Sequence, residues 1–446
     1  MNRYTRFALL TALLVRLPGL FAPLWFDEMF TGLIMRLPLA EALAAVRGDV
    51  HPPLFFMLAW ALGNVLLVRV VLFGVSLLTL LVAQRLAAAL HLSPTVQAVA
   101  LFALALSPMQ IFYAADLRPY AMLQLLALLV AVAAVERRPV LFAAAAAPML
   151  WAHHYGWIYA AVAGLYLAAQ LLPVRNWRGV LTAALPPLGL YVPLAASTAG
   201  QVGAVTAHYW IPPVSPADFI LTLTQLLTSE SWVTPVIVPT VVAIFAVVVF
   251  AIGRAIVERR FDLLVFAIGP MYVAALLSLH TPIYLTRYLL AQSAPLFFLV
   301  VWALVDGVPL AGRVWLACAL VPMLAITYAS DRTRANLANR ENAAEMAAII
   351  RAEPAPVWHD SLGTMVALSY TAPDLTNVIA PQPPTLGGLY SPATRRALGF
   401  VEAAYTDTPA TFWAVFTNSE QPTTTDCITW PATGTQTKIS LCKITR

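Results

Sequence analysis

The 446 residues carry 61% hydrophobic and only 11% charged side chains, with a mean hydropathy of +0.78 and a formal charge of +5. Soluble domains average roughly 45–50% apolar and about 25% charged residues, so a water-soluble globule is excluded. The arginines sit in short clusters between apolar runs, with no basic stripe interleaved with aromatics, which excludes nucleic acid as a partner.

At the start of the chain, Arg3 and Arg6 precede an apolar stretch reaching Phe21. No small-residue cleavage site follows it, so an uncleaved first span is expected. Further apolar runs of spanning character lie near 70–90, 95–113, 118–135, 139–152, 156–172, 178–196, 235–253, 262–279, 285–305 and 313–329. With the first span near 5–23 this predicts 11 crossings of a bilayer whose core needs on the order of 20 apolar residues per helix. One set of connectors is rich in arginine: Arg3/Arg6, Arg85, Arg137/Arg138, Arg175/Arg178, Arg254/Arg259/Arg260 and Arg313. The positive-inside rule puts that set, and the N-terminus, in the cytoplasm.

The other set of connectors holds acids, histidines, prolines and aromatics. Asp49–Pro53 and Asp116–Tyr120 both belong to it, so an even number of crossings separates them. Three apolar segments lie between. The shortest, Leu54–Leu62, stops at Gly63-Asn64 and reads as a half-buried helix on the outer face. From about Ser330 the chain turns polar and rich in Thr and Pro. Asn339–Ala352 has a helical apolar stripe, and Val357-Trp358, Val378-Ile379, Phe412–Phe416 and Lys438–Ile444 are short strand candidates. Two domains are expected: a membrane domain over 1–330 and a small α/β extracytoplasmic domain over 331–446. Cys318 lies in an apolar run. Cys427 and Cys442 are the two cysteines of the tail, 15 residues apart. An oxidising outer compartment makes a disulfide the expected state, with two unpaired thiols as the alternative.

Four clusters on the outer face are candidates for chemistry. Asp27 and Glu28 follow the first span directly. Adjacent carboxylates there suit a general base, a cation site or an acceptor-binding site, or else a helix start. Asp49 and His51 precede two prolines that fix the entry into the half-buried helix. Asp116, Arg118 and Tyr120 sit between two strongly apolar runs, an expensive place for charge. Arg118 there can clamp a phosphate by paired hydrogen bonds or form a structural pair with Asp116. Arg287 and Tyr288 stand where an outer-side arginine runs against the charge trend, either snorkelling to headgroups or binding a lipid phosphate. His153 and His154 add a further cluster that lines or caps, because adjacent helical histidines do not share a face. Arg16, inside the first span, is expected to face protein and pair with an acid.

An arginine-containing first span ending in Asp-Glu, followed by Asp-x-His-Pro-Pro-Leu-aromatic, resembles the protein mannosyltransferase-like glycosyltransferases of family 39. These have the GT-C fold and include bacterial aminoarabinose and lipid-A galacturonic acid transferases. Ser107-Pro108 through Tyr113, Arg118 and Tyr120 is similar to the family's Ser-Pro…Tyr-Ser-x-Glu-x-Arg-x-Tyr region, and Arg287-Tyr288 with Pro295 to its later Arg-Tyr-x(6)-Pro pattern. The resemblance covers about residues 5–330. It departs at Asp116, where the family has Glu, at Ala114 for Ser, and at Pro119. These departures leave Arg118 in place and count against direct catalysis by Asp116.

The resemblance implies a GT-C-like helical membrane protein of the inner or plasma membrane. It implies sugar transfer, hexosyl or pentosyl, from a polyprenyl-phosphate donor to an extracytoplasmic acceptor, with inversion and with Asp27 as base. Arg118 and Arg287 would hold the donor phosphate, while Asp49, His51, Asp116, Tyr120, His153, His154 and Tyr288 would line the site. No cofactor and no metal is expected, because no His/Asp/Cys spacing demands one. The partners expected are membrane lipids, the lipid-linked donor and the acceptor. A polymerase or ligase of lipid-linked glycans and a transporter are the alternatives. A transporter calls for internal repeats and helices broken at the midplane.

Overall fold

A computed structural model describes residues 3–207, 211–229, 237–306, 342–381, 392–417, 427–430 and 438–445. It is mostly helical, with a small sheet at the C-terminal end. The contacts divide it into two compact units. One gathers residues 3–21, 66–200 and the described part of 209–332; the other gathers 22–65, 201–207 and the described residues from 342 onward.

The first unit is built from the apolar helices. Among the described residues, five helices are long and apolar enough to cross a membrane: Arg3–Phe21, Val65–Ala89, Trp177–Gly203, Phe261–Ser278 and Thr286–Val305. Shorter apolar helices occupy Pro94–Leu106, Tyr120–Val135, Pro139–Ala152, Gly156–Leu171 and Val241–Val257. The segment expected to span at 313–329, and the domain boundary expected near 330, lie outside the described residues. The helix Thr286–Val305 sits at the centre of this unit, where Leu289, Ala294, Leu296, Phe298 and Leu299 are fully buried.

The run expected as one span over 95–113 is two helices, Pro94–Leu106 and Pro108–Phe112. Pro108 has no N–H, so the carbonyl of Leu104 four residues earlier loses its helical donor. Arg16 takes that place: its Nη2 donates to Leu104 O at 3.2 Å and its Nη1 to Ser76 O at 3.0 Å. Arg16 therefore faces protein as expected, but its partners here are backbone carbonyls rather than an acid. The Met109 N–H, released at the same break, donates to Thr228 O at 3.1 Å.

Four helices of this unit end alike. His91, Arg137, Arg175 and Arg259 take left-handed φ values of 56°, 55°, 56° and 56°. After each, the next N–H reaches back to the last turn: Leu92 to Ala87, Arg138 to Ala133, Asn176 to Leu171 and Arg260 to Ala255. Glycine usually holds this position, since other residues are strained there. At the three arginines the positive charge is favoured by the negative end of the helix dipole, worth about 0.3–1 kcal/mol, which offsets part of that strain.

The second unit joins three short helices, Phe26–Arg36, Leu39–Gly48 and Leu54–Leu62, to the C-terminal sheet. Leu54–Leu62 has nine residues, far short of the roughly 20 that a crossing needs. Gly63 closes it at φ +63°, a conformation that disfavours a side chain.

Among the described residues the sheet has strands β1 Val357–His359, β2 Asn377–Ile379, β3 Val401–Glu402, β4 Thr411–Thr417, β5 Cys427–Trp430 and β6 Ile439–Thr445, in the order β3-β2-β1-β4-β6-β5. The first four pair in parallel; β6 pairs antiparallel with β4 and β5. Alternation sorts the side chains. Trp413, Val415, Ile439 and Leu441 pack with Met346 and Ile350 of the helix Ala343–Ala352 and with Leu368 of the helix Leu362–Thr371. Phe412, Ala414, Phe416, Cys442 and Ile444 form the second core with Trp358. Four strands fall where the sequence places them; β3 and β5 are additions. Cys427 and Cys442 stand opposite each other on β5 and β6 and form the expected disulfide, with Cα atoms 4.2 Å apart.

His359, at the end of β1, is fully buried. Its Nε2 donates to Asn377 Oδ1 at 2.9 Å, an orientation set by Asn377 Nδ2 donating to Leu375 O; its Nδ1 lies 3.0 Å from Thr364 Oγ1. Burial pushes its pKa from 6.5 down to about 4. The unfolded chain therefore binds the extra proton between those values. This contribution is complete above about pH 6.5, falls as pH drops towards 4, and amounts to about 3 kcal/mol. Asp374 is held at about 2 by its hydrogen bond to Arg351, so its contribution is lost at lower pH, below the ordinary carboxylate range. Hydrogen exchange of β1 and β4 should show their opening free energy falling by about 3 kcal/mol from pH 7 to 4. His359→Gln should flatten that profile; an unchanged slope would show that other groups set it.

Candidate functional site

The turn after Pro108–Phe112 carries the charged cluster of the first unit. Arg118 N–H donates to Asp116 O at 2.7 Å, a tight local turn, and Pro119 then opens the helix Tyr120–Val135. Proline suits that position, because an opening helical N–H has no intrahelical partner. Asp116 is 0% exposed and Arg118 4%. A charge this deeply buried between apolar helices is costly unless paired or used.

Aromatic rings gather around this turn. Tyr120 stands 5.1 Å from Tyr113, 6.1 Å from His153 and 6.1 Å from Tyr288, measured between ring centroids. His153 and Tyr288 are 4.8 Å apart, and Tyr155 lies 5.1 Å from Tyr288. Thus Tyr120, His153 and Tyr288, distant in sequence, are brought together. His153 Nδ1 accepts the Tyr155 N–H at 3.1 Å, so the neutral ring carries its proton on Nε2. Tyr155 O–H donates to Ile283 O at 2.6 Å and Tyr159 O–H to Tyr288 O at 3.3 Å.

These bonds hold the strand-like entry to the 3₁₀ turn Thr286–Gln292, on which Arg287 lies half-buried beside buried Tyr288. Thr286 is tied from another side, donating to Gln225 Oε1 at 2.7 Å and lying 2.9 Å from Thr222 Oγ1. Burial pushes the Tyr284 hydroxyl above the ordinary phenol range, so it stays a neutral donor. His154 is half-buried on the turn before the helix Gly156–Leu171.

In the second unit, Asp27 and Glu28 occupy the first turn of the helix Phe26–Arg36, where the helix dipole favours negative charge. Their roles diverge. Glu28 is 0% exposed, and its Oε2 accepts the Trp25 N–H at 3.3 Å, closing the helix start. Asp27 is half-buried, and its backbone carbonyl accepts the Thr31 hydroxyl at 3.1 Å. Asp49 and His51 are both buried and pair with each other, Oδ2 to Nδ1, at 2.9 Å. The His51 ring packs on Phe56, which touches Phe30 of the Asp27 helix.

Several polar residues at these places escaped the sequence reading. Gln124 donates to Gln110 Oε1 at 2.9 Å and approaches Leu290 O, tying the Arg118 turn to the Arg287 turn. A glutamine inside a 16-residue apolar helix is itself a signal of function or close packing. Tyr159 and Thr222 carried no such signal, because tyrosine and threonine are ordinary in apolar helices.

No family model matches the sequence, and no curated protein matches it. Solved structures do. ArnT from Cupriavidus metallidurans in the apo state superposes with a TM-score of 0.59 at 14% identity, covering 98% of this chain and 97% of that one. The same protein bound to undecaprenyl phosphate gives 0.54 at 15% identity, with the same coverage. The GT-C-like fold expected from the resemblance is thus the fold that this chain shares with ArnT, along nearly its whole length.

Proposed function

We propose that the chain is a multi-pass membrane glycosyltransferase that takes a sugar from a polyprenyl-phosphate donor and passes it to an extracytoplasmic acceptor. The observation that carries this reading is Arg118: a buried guanidinium on a tight turn between apolar helices, beside a wall of Tyr113, Tyr120, His153 and Tyr288. An anionic group on a lipid is the ligand such a place suits, since Arg pairs with phosphate in bidentate geometry. The ArnT structure of the same fold is bound to undecaprenyl phosphate, which supports the same choice.

The reaction is a single displacement. Asp27 takes the proton of the acceptor hydroxyl, the hydroxyl oxygen attacks the anomeric carbon, and the bond from that carbon to the phosphate oxygen breaks. Polyprenyl phosphate leaves, and the anomeric configuration inverts. Arg118 and Arg287 neutralise the charge that grows on the leaving phosphate, the role that preorganised cations fill most effectively. Glu28 secures the helix start under Asp27, and the Asp49–His51 pair fixes its own loop, which Phe56 links to Phe30 of the Asp27 helix. Asp116, Tyr120, His153, His154 and Tyr288 line the donor side. The reading invokes no metal or cofactor. An outer-face position for the C-terminal domain agrees with its disulfide, which persists in oxidising compartments.

Mass spectrometry of lipid-linked sugars and envelope glycans in a deletion strain tests the proposal. One lipid-linked sugar should accumulate while its acceptor loses that sugar. Unchanged profiles of both would reject the reading.

A further inference from the structure

The helix Phe26–Arg36 carries Asp27 at one end and is gripped near the other by the C-terminal α/β domain. Gly32 is the contact. A Cβ added there would lie 2.5 Å from Tyr370 Cε2 and 3.2 Å from Cδ2 and Cζ, so the Tyr370 ring occupies the space that a side chain would take. One turn later the Arg36 guanidinium stands over the same ring, 4.1 Å from its centroid. Its Nη1 also donates to Tyr370 O at 2.9 Å, at the C-terminal end of the helix Leu362–Thr371. That is the negative end of the helix, where a cation is favoured. A second tie holds the neighbouring helix Leu39–Gly48: Thr394 Oγ1 donates to Ala45 O at 3.0 Å, next to the buried Arg395 that pairs with Glu402. All these residues belong to one compact unit.

Gly32 and Arg36 share a helical face with Glu28, at intervals of four residues. Glu28 is the residue that fixes the start of the helix under Asp27. Gly32 lies about 7.5 Å along the axis from Asp27 at 1.5 Å per residue. A helix this short moves as a rod, so displacement at the grip is passed to its first turn.

We propose that Tyr370, seated on Gly32 and under Arg36, is a positioning residue: through it the C-terminal domain sets the placement of the Asp27 carboxylate for transfer. The inference rests on the base role of Asp27 proposed above. It gives the C-terminal domain a part in the reaction itself. Because the donor phosphate contacts belong to other elements, loss of the grip lowers turnover and spares donor affinity.

The test uses the full chain purified in detergent, with the lipid-linked sugar that accumulates in the deletion strain as donor and membranes of that strain as acceptor. Tyr370→Ala and Gly32→Ala should each lower kcat about tenfold, against the roughly hundredfold loss that a 1 Å misplacement can cause. Donor KM should stay within about twofold, as expected for a residue outside the donor contacts. Tyr370→Phe, which keeps the ring and the carbonyl, should retain wild-type kcat. Since the two residues act as one contact, Gly32→Ala/Tyr370→Ala should lose little more than either alone. In an Asp27→Asn background, Tyr370→Ala should add no further loss. Wild-type kcat in Gly32→Ala and Tyr370→Ala, a loss expressed in KM, or a full multiplicative loss on top of Asp27→Asn would overturn the proposal. If Tyr370→Ala lowers the melting temperature sharply, Gly32→Ala at an unchanged melting temperature decides. Normal turnover by Asp27→Asn itself would strike at the base assignment, a result distinct from failure of the grip.

Discussion

Asp27→Asn should reduce sugar transfer by about 10²–10⁴-fold, the usual contribution of a positioned general base. The substitution keeps the size of the side chain and an acceptor oxygen but removes the basic electron pair. It sits in the first helical turn, where asparagine is tolerated and the structural cost is a few tenths of a kcal/mol, well inside the range of dipole effects. Glu28 is poorly placed to substitute, since it is buried and its carboxylate accepts the Trp25 N–H. Expression and donor binding should therefore survive while transfer does not. Assays with purified protein would show it, and activity within a few fold of wild type would remove Asp27 from the mechanism.

Arg118→Ala and Arg287→Ala should each weaken use of the donor by about 10- to 150-fold, the equivalent of roughly 1.5–3 kcal/mol for a hydrogen bond to a charged group. Arg118 should show the larger loss, because it is the more deeply buried and its charge is the less screened. Lysine should rescue only in part at a site that needs two parallel N–H donors. Binding of undecaprenyl phosphate and turnover, measured on the same preparations, separate affinity from chemistry. Normal binding together with normal turnover in both alanine variants would make these arginines headgroup anchors.

The parts of this protein legible in the sequence are those governed by local composition. Among the described residues, apolar runs mark where the helices lie, apart from the break that Pro108 makes in the run 95–113, because burial of a continuous apolar segment overrides weaker preferences. The polar interruptions at Asp27, Asp49, Asp116 and Arg287 mark where chemistry is expected, because charge between apolar helices is costly. Four strands of the C-terminal sheet follow from short runs of β-branched and aromatic residues. The two-residue β3 does not, since too few residues are present to display a period, and β5, Cys427–Trp430, follows the polar, Thr-rich stretch 422–426 rather than an apolar run.

The tertiary structure alone decided who partners whom. Nothing local shows that Arg16 would take the carbonyl that Pro108 orphans, because the two come from helices far apart in the chain. Nor does local pattern show that Tyr120, His153 and Tyr288 would share one wall, or that Glu28 and Asp27, adjacent and chemically alike, would separate into a helix cap and a half-exposed carboxylate. The grouping of residues 22–65 with the C-terminal sheet is of the same kind. It includes the absent side chain of Gly32 meeting the ring of Tyr370, more than 300 residues later, and Thr394 reaching the carbonyl of Ala45. Hydropathy reports how strongly a segment leaves water, a sum over neighbours in the chain; which donor finds which acceptor depends on where the other helices come to rest.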